Sequence, residues 1–248
     1  MRITPYFELN GNRYEFKRTR WLIAEYKRLG EENPLSADDK SNAIKANNLV
    51  ADAQKLAEKV KELWEELSAS AFAPVDFEVA FGDGQQMPAI DIPGGKMEAQ
   101  LRGFVDRVDA WNNGYTNYFR VVDYKTGRKD FDYCDVFNGL GLQMLLYLYA
   151  LEDGGESLYG VKPEIAGVEY FPARVPFVPS DGVLSEEEAE ALHAKDFRRR
   201  GLIVSDDEVL YAMENADNPK RLPCKRKKDG SVSGDVASYG QFKKLKKH

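Results

Sequence analysis

Histidine and cysteine are scarce in this 248-residue chain, with two of each: His193, His248, Cys134 and Cys224. Two cysteines so far apart build neither a disulfide framework nor a Cys-x-x-Cys pair, and alone they cannot ligate zinc or an iron–sulfur cluster. With one histidine in a charged run and the other at the last position, a His-rich metal centre or a Ser–His–Asp hydrolase has no material. No apolar run approaches the ~20 residues of a membrane span. The opening residues, Met1 to Tyr6, lack the apolar stretch and small-residue cleavage site of a secretory signal, so a cytoplasmic protein is expected. Glycine and proline, 20 and 11 residues, are too few for a collagenous or low-complexity chain. Carboxylates and lysines are left to carry any chemistry.

What is present describes a globular protein, 43% hydrophobic and 31% charged, of a length that suits one large domain or one domain with a helical appendage. The net charge of −6 is unevenly spread: residues 220–248 hold ten Lys and Arg against Asp229 and Asp235. A basic segment of this kind can meet phosphates, or it can be a solvated tail.

Residues 1–73 are predicted to be helical and to pack on a core formed by 74–248. Trp21, Leu22, Tyr26 and Leu29 give one amphipathic stretch. Leu49, Ala53, Leu56, Val60, Leu63 and Leu67 give a narrow apolar seam on a second helix over 36–68. From Val75 to Phe81 the pattern alternates as in a strand. Two further strands, Met97–Trp111 and Tyr115–Lys125, read as an antiparallel hairpin turning at Asn112-Asn113-Gly114. Gly139–Leu151 is apolar almost all round, as in a helix buried against a sheet, and Ile165–Phe171 supplies another strand. Ser185-Glu-Glu-Glu188 and Ser205-Asp-Asp-Glu208 resemble capping boxes opening short helices within an insertion over 182–222, with Gly201 ending the first. The expected fold is α/β, a mixed central sheet flanked by helices.

The informative stretch is 103–147. Asp123 and Lys125 lie two apart at the end of an apolar strand and so point to one side. Asp106 closes Gly103-Phe-Val-Asp106 on the neighbouring strand, Glu78 interrupts an apolar strand upstream, and Gln143 and Tyr147 share one helix face. Converging carboxylates repel unless a cation neutralises them, and oxygen ligands without His or Cys select Mg²⁺ or Mn²⁺. Such a site with a lysine beside it suits phosphodiester hydrolysis. Each pair alone is weak: Asp-x-Lys arises about once by chance in a chain of this composition. Asp123 with Lys125 can equally be read as a strand-end ion pair, Glu78 as an edge-strand carboxylate facing solvent, and Asp109 as a partner of Arg107 or Arg102. The ordered combination is the signal.

Glu78, Gly103-Phe-Val-Asp106, Asp123-Tyr-Lys125 and Gln143-Met-Leu-Leu-Tyr147 together resemble the PD-(D/E)XK nuclease core of the RecB-like group. Within it the chain is most similar to the C-terminal nuclease domain of AddB-type helicase–nuclease subunits, which process DNA ends. The resemblance implies a restriction-endonuclease-like fold and a metal-dependent, exonuclease-type activity on DNA. By the same resemblance Asp106, Asp123 and the carbonyl of Tyr124 hold Mg²⁺ or Mn²⁺, and Glu78 helps to place metal or water. Lys125 is then the catalytic lysine, and Gln143 and Tyr147 orient the site. Arg102, Arg107, Arg120, Arg128 and Lys129 flank these positions as candidate phosphate contacts. The intact relatives pair with a partner subunit, and the present chain reads as a fragment of such a protein. Cys134 and Cys224 do not match the four-cysteine cluster of the AddB family, so no iron–sulfur cluster is expected. No histidine precedes Glu78 where related nucleases carry a metal ligand. A non-catalytic DNA-binding or scaffold module that kept the fold is the alternative.

Overall fold

The strands Gly103–Asn112 and Asn117–Lys125 form the antiparallel hairpin at the centre of the fold, with Arg107 opposite Val122 and Asn112 opposite Asn117. The computed structural model describes residues 6–9, 12–15, 59–92, 99–127, 129–173, 185, 188, 192, 195 and 197–247. The chain divides into two compact units, Met1–Trp64 and Glu65–His248.

In the first unit, β1 (Tyr6–Leu9) and β2 (Asn12–Glu15) pair antiparallel, Leu9 opposite Asn12. This corrects the expectation of an all-helical start: aromatic residues and Leu favour extended chain here, and the two residues between the strands are Asn-Gly, a strong hairpin signal. Helix α1 is described over 59–69, within the expected second helix; the remainder of that helix, and the amphipathic stretch around Trp21, lie outside the described residues.

The second unit holds β3 (Ala73–Phe81), β4 (Ile90–Ile92), β5 (Ala99–Leu101), β6 (Gly103–Asn112) and β7 (Asn117–Lys125). Helices α2 (Tyr133–Phe137) and α3 (Gln143–Tyr159) lead to β8 (Pro163–Pro172). After these come β9 (Arg200–Val204), α4 (Asp207–Met213), β10 (Cys224–Arg226), β11 (Val232–Gly234), β12 (Val236–Ala237) and α5 (Tyr239–Leu245). Six strands form one mixed sheet in the order β12-β9-β8-β7-β6-β3, with β7 parallel to β8 and β12 parallel to β9. The parallel β7–β8 pair requires a crossover, which α3 supplies by packing on both strands. Val108, Val121, Val168 and Leu202, all fully buried, form a row of register partners across four strands. Among the described residues no helix is long and apolar enough to cross a membrane.

Two elements depart from the sequence reading. The buried helix begins later than Gly139 and runs on to Tyr159, because its Gly154-Gly155 pair stays buried against Pro88 and Pro163 instead of ending it. Gly201 does not end a helix; it sits in β9 with φ 143°, where a Cβ would lie 2.1 Å from the Val168 carbonyl oxygen. Only a residue without a side chain lets β8 and β9 approach so closely. The Ser185–Glu188 capping box is present, each side chain bonded to the other's backbone N–H. Helix α4 opens where expected, but its cap is Asp206, which accepts from the N–H groups of Glu208 and Val209.

Candidate active site

Strand alternation and register assemble the site. The β6–β7 ladder ends at Arg107 opposite Val122, and one more step would set Asp106 across from Asp123. The strand register stops one step short of it. Instead the Asp106 carboxylate accepts the Tyr124 N–H at 3.0 Å, taking the place of a ladder bond as the strands part. Asp123 is 4% exposed, on the same face as Val121 and therefore beneath α3. Lys125, two residues on, brings its ammonium onto the Asp123 carboxylate. The same ammonium stands 5.8 Å from the centroid of the Tyr170 ring, whose residue is the register partner of Asp123 on β8. Burial, with the Asp123 charge adding to it, pushes the Tyr170 phenol up to about 12.

Glu78 lies on β3, the outer strand of the sheet, and is exposed. Its neighbours Phe77 and Val79 pair with Arg107 and Val105, which sets Glu78 level with Asp106. Its φ of 55° is the one positive value at a non-glycine among the described residues. A charged residue held in that region costs on the order of 1 kcal/mol and turns the side chain away from the normal pleat.

The second half of the site comes from α3. Gln143 Nε2 donates to Tyr147 Oη at 2.6 Å, one helical turn on. The Tyr147 ring meets Phe81 edge to face at 5.4 Å between centroids. Gly103 lies against both rings, so the strand that carries Asp106 touches the helix that carries Gln143 and Tyr147. The structure thus groups Asp106, Asp123, Tyr124 and Lys125 at the strand fork and anchors Gln143 and Tyr147 to it through Gly103.

The candidate phosphate contacts fare unequally. Arg102 is exposed and paired with Asp83, also exposed. Lys129 is exposed near Gly141, in the turn before α3. Arg128 lies outside the described residues. Arg107 is corrected: it is fully buried on the other face of the sheet, bonded to Glu66, Asp109 and Tyr124, and cannot reach a phosphate. Arg120 is buried beside it. The sequence pointed to the Arg107–Asp109 pair, which the structure forms, but not to Glu66, Arg120, Glu169 and Arg199 around it, nor to Tyr170. The cluster's signal was there to find, since Arg107, Asp109, Arg120 and Glu169 are charges set within apolar strands, and charges so placed must pair internally.

The donor set at the fork is two carboxylates and a main-chain carbonyl, all hard oxygens. No group of three metal-ligating side chains occurs among the described residues. That set suits an ion that keeps part of its water shell, as Mg²⁺ does, and does not suit zinc.

Comparison with known proteins shows the family of the chain. The family model of the PD-(D/E)XK nuclease superfamily matches residues 14–226. An ATP-dependent helicase/deoxyribonuclease subunit of Symbiobacterium thermophilum is 40% identical over 183 residues, covering 71% of this chain and 16% of that protein. Proteins of the same name from Thermoanaerobacter sp. (strain X514) and Clostridium novyi are each 36% identical, over 78% and 74% of this chain and 17% of their own length. The chain spans about a sixth of the length of these relatives. The family match runs through both strands of the fork and the helix tied to them, and the chain accordingly belongs to the PD-(D/E)XK nuclease superfamily.

Proposed function

We propose that this chain is a nuclease module that hydrolyses DNA phosphodiesters with Mg²⁺ or Mn²⁺, working within a longer helicase–nuclease that has a partner subunit. The observation that carries the reading is the parted end of the β6–β7 ladder. There Asp106 holds the Tyr124 N–H while Asp123 holds the Lys125 ammonium. The DNA substrate and the partner follow from the names of the relatives, deoxyribonuclease subunits of helicases.

In this reading Asp106, Asp123 and the Tyr124 carbonyl hold the metal. Extended backbone turns the N–H and C=O of one residue to the same edge, so the Tyr124 carbonyl faces the fork with its N–H. When bound, the ion supplies a water of lowered pKa and charge to offset the phosphoryl oxygens. Lys125 sets a point charge where the scissile phosphate would lie. Glu78, level with Asp106, helps to place metal or water from the outer strand. The Gln143–Tyr147 pair, packed on Gly103, orients the carboxylates from the helix side, and Arg102, Arg128 and Lys129 receive neighbouring phosphates. Exonucleolytic attack on DNA ends is the mode we favour.

The test is cleavage of end-labelled linear DNA, single- and double-stranded, in Mg²⁺, Mn²⁺ or EDTA. Asp123→Asn and Lys125→Ala are each expected to lower the rate by at least about 10²-fold, the scale of a lost catalytic group, with unchanged circular dichroism. Cleavage that persists in EDTA and in both variants would overturn the assignment. Salt-sensitive DNA binding without cleavage in either metal would identify the non-catalytic module instead.

A further inference from the structure

Beneath the fork, on the face of the sheet away from α3, six buried charges form one network. Arg107 donates to Glu66 at 2.9 Å, to Asp109 at 2.9 Å and, through Nη1, to Tyr124 Oη at 3.1 Å. Arg120 donates to Asp109 and Glu169 at 2.9 Å and to Glu66 at 3.2 Å. Arg199 reaches Glu66, and its guanidinium covers the Phe171 ring at 3.9 Å, the same ring that packs on Tyr124 at 5.2 Å. Three guanidinium groups thus face three carboxylates with almost no solvent. Such a network is a poor source of stability, since apolar side chains of equal volume often do as well or better. What it offers is fixed geometry, and its reach into the site is through one residue.

Tyr124 stands between the two faces. Its phenol is held by Arg107 from below, while its N–H is held by Asp106 at the fork. Its chain neighbours are Asp123 and Lys125. A rotation of β7 about its own axis at this point would move both side chains and the Tyr124 carbonyl together, because strand residues turn as a unit. We propose that Arg107 and Tyr124 are positioning residues for hydrolysis. The buried charge network locks the end of β7 through the Arg107–Tyr124 bond and so holds Asp123, Lys125 and the Tyr124 carbonyl in place. This rests on the nuclease reading above and adds to it a pair whose side chains touch neither metal nor DNA.

Tyr124→Phe removes the phenol oxygen and keeps the ring. In this variant hydrogen exchange of the Tyr124 amide should rise, Mn²⁺ affinity measured by calorimetry without DNA should fall about tenfold, and kcat should fall by a similar factor with KM for DNA unchanged. Leu202→Ala, a buried site two strands away, provides a fold control. If it loses as much thermal stability, it should leave amide exchange at Tyr124 and Mn²⁺ affinity as in the wild type. A Tyr124→Phe protein that loses stability but keeps wild-type exchange, metal affinity and kcat overturns the positioning role. A folded wild type that binds no Mn²⁺ overturns the metal reading instead, and exchange at the Tyr124 amide then decides the lock by itself: a rise upholds it and no rise overturns it.

Discussion

A Cβ on Gly103 would stand 2.8 Å from Phe81 Cζ and 3.3 Å from Tyr147 Cε1. Gly103→Ala therefore has to push apart the ring pair that joins strand to helix. Overpacking of this kind costs about 1–3 kcal/mol, which at this chain length lowers the melting temperature by a few degrees per kcal/mol. Thermal denaturation checks it, and adding Phe81→Leu should recover part of the loss by opening the space. The site around it shows what can be read from a sequence. That Asp123 shares a face with Lys125, and Gln143 with Tyr147, was legible because spacing on a strand or helix dictates which side chains lie together. For Arg107 the pairing with Asp109 was legible but the burial was not, because alternation says which face a residue takes but not whether that face is wet. Glu66, which completes its pairing, lies 41 residues upstream, and only the folded sheet brings the two together.

Among the elements, β3 carries the strained position. Glu78 holds a φ of 55°, which glycine adopts without penalty. Glu78→Gly is expected to leave thermal stability unchanged or raise it by up to about 1 kcal/mol, while cleavage falls if the carboxylate serves the fork. Calorimetric melting beside an activity assay separates the two; a loss of stability would show that the carboxylate anchors β3 instead. The hairpin β6–β7 and strand β8 were foreseen because their aromatic and β-branched residues sit between clear turn signals. Strand β9 was not: its Arg-Gly-Leu-Ile-Val run is short, and the helix-like acidic segments on either side dominated the pattern. Its membership of the sheet depends on a close approach to Val168 that Gly201 permits, a tertiary fact with no local period.

For the molecule as a whole, charge is sorted by burial. Burial pushes the Glu66 carboxyl up, but Arg199, Arg107 and Arg120 outweigh it and hold it well below the usual carboxylate range. Its contribution is complete above the unfolded carboxylate pKa of about 4.3 and is lost as pH falls below that toward the folded value. Glu169 works in the opposite sense, because burial raises it above the usual range, so it offsets part of the decline. Urea denaturation from pH 7 to pH 3 should show stability falling below about pH 4.3. Glu66→Gln should flatten that fall while costing about 3–5 kcal/mol at neutral pH, the cost of unpairing buried guanidinium groups. The basic segment is sorted as well: Arg221, Arg226 and Lys246 pair with Glu65, Asp207, and Glu152 with Asp153, while Lys225, Lys227, Lys228, Lys243, Lys244 and Lys247 stay exposed.

Strand β12 is only two residues long, yet its Ala237 carbonyl and that of Asp235 just before it accept the N–H groups of Ser205 and Ile203 along the flank of β9. Ile203 belongs to a stretch, Leu202 to Val204, whose side chains are wholly buried. If this small strip were peeled away, a flat apolar edge would be left bare, the kind on which one molecule adds to the next. Residues 235–245 thus cover that edge as well as carrying charge, with the buried Phe242 seating the helix that follows β12; Phe242→Ala is expected to loosen this cover and raise light scattering on heating.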